Sequence, residues 1–378
     1  MTTSSPARRG RSLAITIPLV AVGIALLIGA VMLLALGADP VEAYAAMLRG
    51  AFGSVDGLVS TVLKATPLLL VGAGITIAFR ANVINIGGEG QIVLGALTAT
   101  VVSMLLPSLP PVIMIPLVLA AGVVGGAFWG FIPGSLKAYF GVNEILSTIM
   151  LNVVALQLMN FLLRGPLIDP AEIEGSGIPQ TARLDPNADL PLLFGDRLHV
   201  GPVIAVLAAV AVYVFLWRTP TGFRLRAVGL SEDAARYAGI PVRRMTTLAL
   251  TLSGALGGLA GAILVFGSES HRMVTDGSAA GLTGNAGFNG IVAALFGGLH
   301  PLWTIPASFL FGGLLVGGNA LQRAVQVPSA LILALNGLVV VVVVSSDRFR
   351  RRALRRAVAP IDEEPDSPSE LVATEAEP

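Results

Sequence analysis

Long apolar runs dominate this chain and restrict it to a membrane-embedded fold. Of its 378 residues, 54% are hydrophobic and 12% are charged, whereas about 25% are charged in an ordinary soluble domain. About 20 mostly apolar residues are needed to cross a hydrocarbon core of about 30 Å. Six runs are long enough or nearly so: Ser12–Gly37, Leu58–Phe79, Pro111–Phe131, Val142–Leu163, Val200–Trp217 and Met245–Phe266. Four are shorter: Gln91–Leu106, Phe288–Leu299, Leu302–Gly318 and Ser329–Val344. The sequence therefore predicts an all-α polytopic membrane protein with about ten transmembrane helices.

Basic residues are concentrated beside particular runs and predict how the chain is oriented. Lys and Arg accumulate on cytoplasmic loops. The segment 218–244 carries six arginines against two acids, whereas 164–198 carries three basic and six acidic residues. Together with arginines before the first run and after the last, this predicts cytoplasmic termini, an inner loop at 218–244 and an outer loop at 164–198. The expected parts are a cytoplasmic tail (1–12), a transmembrane domain (13–346), and a basic segment followed by a disordered acidic tail (347–378).

Polar residues interrupt the apolar runs at three places. Such side chains cost a few kcal/mol within a membrane unless they face protein or a watery cavity, so they mark functional candidates. RANVINIGGEGQ (80–91) contains three glycines that we expect to break the helix, so that 91–106 does not complete a crossing. GLTGNAGFNG (281–290) precedes another half-length run, and the run Val142–Leu163 contains amide side chains. The candidate pathway residues are Asn85, Glu89, Gln91, Asn143, Asn152, Asn285, Phe288 and Asn289.

Each of these candidates also has a structural interpretation. Membrane amides often tie neighbouring helices together, Glu89 could partner Arg80 or backbone N–H groups, and Phe288 could simply pack against neighbouring side chains. Paired short, glycine-interrupted segments are typical of transporters built from discontinuous helices and inverted repeats. The faint similarity between 84–97 and 286–299 makes two oppositely oriented halves an open possibility.

The loop between the runs Val200–Trp217 and Met245–Phe266 contains residues typical of a short helix. Ser231 is a capping residue, Glu232 and the acid after it favour the positive end of a helix dipole, and Gly239 ends the helix. The pattern predicts a two-turn helix outside the membrane. Such a helix is either held by another protein or lies on lipid headgroups.

Several catalytic chemistries have no sequence basis. There is no GxxxxGK[ST] phosphate loop, and Lys64 and Lys137 are the only lysines, so ATP binding by that route is excluded. Cysteine is absent and the three histidines are far apart, which argues against a thiolate or histidine metal site and against a membrane hydrolase. A secondary transporter would need ionisable groups in mid-membrane, for which Glu89, Glu144 and Lys64 are the nearest candidates.

Two stretches resemble the permease subunit of bacterial ABC importers, in the branch that includes nucleoside, simple-sugar and branched-chain amino-acid permeases. NIGGEGQIVLGA (85–96) is similar to the signature of the nucleoside subgroup, and 37–54 is similar to the longer of the two permeases that nucleoside systems commonly pair. GLSEDAARYAGI (229–240) resembles the coupling helix that docks into the ATPase. The resemblance spans roughly 15–350.

The resemblance implies a transport subunit of a bacterial plasma membrane with several partners. These are a cytoplasmic ABC ATPase, a second permease in a hetero- or homodimer, an extracellular substrate-binding protein and membrane lipid, with no nucleic acid. It implies no cofactor in this chain, because ATP and Mg²⁺ are bound by the ATPase. The expected coupling contacts are Ser231, Glu232, Ala235, Arg236, Gly239 and Ile240. A simple-sugar importer and a secondary transporter are the alternatives, with a membrane-embedded enzyme third.

Overall fold

The computed structural model describes residues 23–326, except 25, 174 and 176, together with 334, 337 and 338. These residues belong to two compact units. One unit covers 1–35 and 333–378, and its described part contains helix α1 (Leu26–Ala35). The other unit covers 36–332 and contains helices α2 to α14. The run Ser329–Val344 and both expected tails therefore lie almost wholly outside the described residues.

Seven described helices have the length and hydropathy to cross a bilayer, and the predicted all-α polytopic fold is confirmed. They are α3 (Val55–Arg80), α4 (Gly88–Leu105), α5 (Pro111–Phe140), α6 (Glu144–Leu163), α8 (Gly201–Arg218), α11 (Val242–Phe266) and α14 (Pro301–Val325). The shorter helices are α2 (Pro40–Phe52), α7 (Pro170–Ile173), α9 (Pro220–Leu230), α10 (Glu232–Tyr237), α12 (Ala279–Thr283) and α13 (Ala286–Phe296). A 3₁₀ turn (Pro186–Ala188) and an antiparallel hairpin of β1 (Leu192–Phe194) and β2 (Leu198–His199) complete the described elements.

Helix α4 corrects the expectation that the glycines of 80–91 stop the chain short of a crossing. The helix begins at Gly88, so Gly88 and Gly90 form its first turn, and its 18 residues qualify as a span. Glycine allows close approach here. A Cβ at Gly88 would lie 3.0 Å from Cα of Gly287, and one at Gly90 would lie 2.9 Å from the indole nitrogen of Trp129.

The two short runs near the end of the domain have different outcomes. The first is the half-length helix that was predicted, because α13 has 11 residues. The second was underestimated: the sequence suggested 302–318, but α14 has 25 residues. Its last turns include the polar residues Asn319 and Arg323, which lie beyond the predicted run.

Small residues bring α4, α5 and α11 together at the centre of the larger unit. A Cβ added to Gly258 would lie 2.0 Å from the carbonyl oxygen of Gly122, and one added to Gly126 would lie 2.2 Å from that of Gly254. Backbones approach this closely in membranes because van der Waals packing replaces the hydrophobic effect as the force between helices. The four-residue spacing of Gly254 and Gly258 is typical of such packing.

The larger unit has two recognisable ends, which lie at opposite ends of α11. At one end the β1–β2 segment packs beside the last turn of α11, where the N–H of Leu190 donates to the carbonyl of Phe266. We call it the hairpin end. At the other end α9 and α10 precede Val242, the first residue of α11. We call this the arginine-loop end, because the segment 218–244 lies there.

Candidate functional site

The first turn of α4 is joined to the break between α12 and α13 by the carboxylate of Glu89. Glu89 is buried, with 3% of its surface exposed. It accepts hydrogen bonds from the hydroxyl of Thr283 and from the N–H of Phe288 at 3.2 Å. The N–H groups at a helix start lack partners within their own helix, so Glu89 satisfies the exposed start of the half-length helix.

The loop before α4 is held by a second polar group. The amide of Asn85 donates to Oγ of Ser253 at 2.8 Å and to Oε1 of Gln91 at 3.1 Å, and its oxygen accepts from the N–H of Gly87 at 2.8 Å. Asn85 is completely buried and Gln91 nearly so. These contacts tie the loop to α4 and α11.

Asn152 ties the same loop to α6. Its Oδ1 accepts from the N–H of Gly90 at 2.8 Å, and its Nδ2 donates to the carbonyl of Ile86 at 2.9 Å. Amide side chains that satisfy irregular backbone in this way are a known solution where a membrane helix is interrupted. The structure thus brings Asn85, Glu89, Gln91 and Asn152 together around one loop.

The other four pathway candidates lie apart from that loop or at its edge. Asn143 caps α6, where its side chain accepts from the N–H of Ile145 at 2.9 Å. Asn285 precedes α13 with a left-handed φ of 60°. Phe288 is 46% exposed, and Asn289 follows it on α13.

A cavity of about 760 Å³ opens at the hairpin end of the larger unit. This volume lies within the roughly 300–1,000 Å³ range of small-molecule sites. It is enclosed by α3, the end of α11, α12 and the last turns of α14. Its ionisable and amide lining residues are Asp56, Lys64, Arg197, His199, Asn319 and Arg323.

The cavity ends at the polar junction around Glu89. Thr283, which donates to Glu89, and Gly284 both line the cavity. None of the eight predicted pathway residues is itself part of the lining. Asp56 and Ser60 were not among the predicted residues, although the four-residue steps from Asp56 to Ser60 to Lys64 on an apolar helix were a usable signal.

At the arginine-loop end, α10 stands out from the bundle. Its capping residue is Ser231, whose hydroxyl accepts from the N–H of Ala234 at 3.2 Å, as the sequence predicted. Among the expected coupling residues, Ser231, Glu232, Arg236 and Gly239 are exposed, whereas Ala235 is buried and Ile240 packs against the hydrophobic core. These last two fix the helix to the bundle.

Two exposed apolar residues beside α10 were not singled out from the sequence. Leu230 is 89% exposed and Tyr237 is 96% exposed. Large apolar side chains on such a short projecting helix are typical of a contact surface for another protein.

An aromatic and basic cluster connects this end to α3 and α14. The guanidinium groups of Arg80 and Arg226 lie 5.3 and 5.5 Å from the ring centre of Trp217, and the His300 ring packs against the same indole with 4.9 Å between centres. Arg80 also donates to the carbonyl of Leu299 at 3.0 Å. The cluster joins the end of α3, the α9 segment and the α13–α14 turn.

Comparison with known protein families identifies the family of this chain. The family described as a branched-chain amino acid transport system permease component matches residues 57–344. The chain belongs to this family. The permease is thus a multi-span membrane protein and a component of an ABC transporter, a class of assembly that also includes an ATPase and a substrate-binding protein.

Curated relatives cover most of this permease. A glucose ABC transporter permease of Haloferax volcanii is 36% identical over 346 residues, covering 88% of each chain. A guanosine ABC transporter permease of Bacillus subtilis is 34% identical over 334 residues, covering 88% of this chain and 94% of the relative. A nucleoside ABC transporter permease of Lactococcus lactis is 32% identical over 314 residues, covering 82% and 85%.

Proposed function

We propose that this permease imports nucleosides across a bacterial plasma membrane. The observation that carries the proposal is its similarity, over more than four fifths of its length, to a guanosine and a nucleoside permease. The NIGGEGQIVLGA segment supports the same subgroup, and the structure uses it to build the junction around Glu89. A simple sugar is the second candidate substrate, because the glucose permease relative has comparable identity.

In this proposal the hairpin end faces outward and both termini lie in the cytoplasm. The excess of acidic residues in 164–198 and of arginines in 218–244 supports this orientation. An extracellular binding protein then delivers substrate to the cavity, and a second permease, identical or related, completes the pathway. Residues 13–346 form the permease domain.

ATP is bound and hydrolysed outside this chain, by a cytoplasmic ATPase that docks on α10. The exposed Glu232, Arg236, Leu230 and Tyr237 supply the docking surface, and ATP-driven movement of α10 switches the cavity between outward and inward openings. The Trp217 cluster supports this route, because it joins the arginine loop to α3. The chain itself carries no cofactor.

Uptake measurements test the substrate. Cells that express the complete transporter, with or without this chain, are given labelled adenosine or uridine together with excess ribose or glucose. Loss of nucleoside uptake on deletion, with no competition by either sugar, is the expected result. Complete competition by a sugar would transfer the assignment to sugars, and uptake that survives deletion would remove it.

A double substitution tests the coupling surface. Glu232→Ala with Arg236→Ala removes two exposed charges without touching the buried Ala235, so the permease should reach the membrane but retain less ATPase on purification. Arg183→Ala, which removes an exposed charge at the hairpin end, is the control. Equal ATPase retention and equal uptake in the double variant would refute docking through these residues.

A further inference from the structure

One face of α3 carries a row of polar residues into the cavity. Asp56, Ser60 and Lys64 are spaced four residues apart and all three line the cavity. Residues with this spacing lie above one another on a helix. Lys64 is nine residues from the start of α3, which corresponds to about 14 Å along the helix axis. The cavity therefore carries a lysine well inside a membrane-spanning helix.

The charges of the cavity wall do not balance. Arg197 pairs with Glu269 at 2.6 Å, and both are largely exposed at the rim. Among the other charged residues that line the cavity, Lys64 and Arg323 are basic and Asp56 is acidic. The wall has a net positive charge.

His199 adds no further charge to the wall. Its Nδ1 accepts the N–H of Gly201 at 3.0 Å, and only 6% of the residue is exposed. Burial lowers the pKa of the imidazole, which keeps it neutral near pH 7. The positive charge of the wall thus comes from Lys64 and Arg323.

Lys64 has no ion-pair partner within the part of the chain that the structure describes, and its side chain is exposed. An ammonium group at membrane depth is costly unless it pairs or reaches a water-filled cavity. The cavity provides that water. Its charge is then available to act on a solute, and low-dielectric walls strengthen the field that a solute experiences.

We propose that this cavity is an electropositive vestibule that admits neutral and anionic polar solutes and excludes cationic ones, with Lys64 as the residue that determines the selectivity. A neutral solute with hydroxyl groups is not repelled, and its oxygen atoms accept hydrogen bonds from the ammonium group. A cation meets like charge at close range. The inference depends on the proposed function only in taking the hairpin end as extracellular.

The absence of cysteine from the sequence allows a direct measurement of this field. Ser60→Cys places a thiol one helical turn from Lys64 in an otherwise cysteine-free permease. Two methanethiosulfonate reagents of similar size are added from outside, one with a trimethylammonium group and one with a sulfonate group. The ratio of their rates reports the potential at the thiol, because any effect of Lys64 on thiol ionisation changes both rates equally.

The probe is combined with two substitutions of the lysine. Lys64→Gln removes the charge, and Lys64→Arg keeps it. In the Ser60→Cys background the anion-to-cation rate ratio should fall about tenfold with Lys64→Gln, because the two reagents respond to the lost charge in opposite directions. It should stay near its original value with Lys64→Arg.

A second probe separates failure of this inference from failure of the proposed orientation. Ser108→Cys places a thiol in the exposed α4–α5 turn, at the hairpin end but outside the cavity. The rate ratio of this outer thiol should not change with Lys64→Gln. If the outer thiol reacts from outside while the Ser60→Cys thiol does not, or if the ratio in Ser60→Cys ignores Lys64→Gln, the vestibule is refuted. If the outer thiol itself reacts only from the cytoplasmic side, the proposed orientation is refuted.

Discussion

Replacing Glu89 by alanine should destabilise the permease much more than replacing it by glutamine. Alanine leaves the N–H of Phe288 without an acceptor at the start of α13. A donor left unsatisfied in the protein interior costs about 1–3 kcal/mol, so the loss should be about 2 kcal/mol. Glutamine has the same shape. Its oxygen can accept from Phe288, and its amide can donate to the hydroxyl of Thr283, which then donates to the carbonyl of Ala279 at 3.0 Å.

Thermal unfolding of the detergent-solubilised transporter measures the difference. At about 2–4 °C per kcal/mol for a domain of 150–250 residues, Glu89→Ala should unfold about 6 °C below the original protein and Glu89→Gln within about 3 °C. A double-mutant cycle with Thr283→Val isolates the side-chain pair. Its coupling energy should be about 1 kcal/mol or more, because residues that share a buried hydrogen bond are not additive.

Two results would contradict this reasoning. Glu89→Ala that unfolds with the original protein would show that the hydrogen bonds at the α13 start contribute nothing to stability. Glu89→Gln that unfolds as early as Glu89→Ala would show that the negative charge, rather than the accepting oxygen, stabilises the junction.

Two further predictions concern packing and pH. Gly258→Ala should destabilise the permease by about 1–3 kcal/mol, because its Cβ would lie 2.0 Å from the Gly122 carbonyl oxygen. Thermal unfolding checks this, with Gly23→Ala as the control because its Cβ would have no neighbour within 4 Å. Equal unfolding temperatures for the two variants would refute the tight α5–α11 contact. Burial lowers the pKa of His199 below its ordinary value of 6.5, so the unfolded chain binds a proton first and stability should fall as the pH drops below about 6.5. His199→Gln should reduce that loss of stability between about pH 6.5 and 5 in unfolding experiments. An unchanged dependence of stability on pH would show that His199 is not the group responsible.

The sequence predicted much of the fold because its signals are local. Apolar runs such as Pro111–Phe131 become membrane-length helices, since every backbone group must be satisfied within the segment. The capping signal at Ser231 predicted α10 because it, too, depends only on neighbouring residues. Two oppositely oriented halves remain an open possibility, because the last run of the second half lies almost wholly outside the described residues.

Helix ends were predicted less well where polar residues belong to the interior of the protein. Hydropathy ended the penultimate run at Gly318, but the helix continues to Val325 because Asn319 and Arg323 line the cavity. Gly88 and Gly90 were expected to break the helix. They instead form the first turn of α4, where they permit close contact with α13 and Trp129.

The sequence by itself determined that this is a helical membrane protein with a short helix after Ser231, because hydropathy and capping act over a few neighbouring residues. Only the tertiary structure showed that Glu89 binds the start of α13, nearly two hundred residues away, and that Lys64 and Arg323 line the same cavity. Those pairings depend on how helices distant in sequence pack against one another. A periodicity within one helix contains no information about which neighbour its polar face will meet.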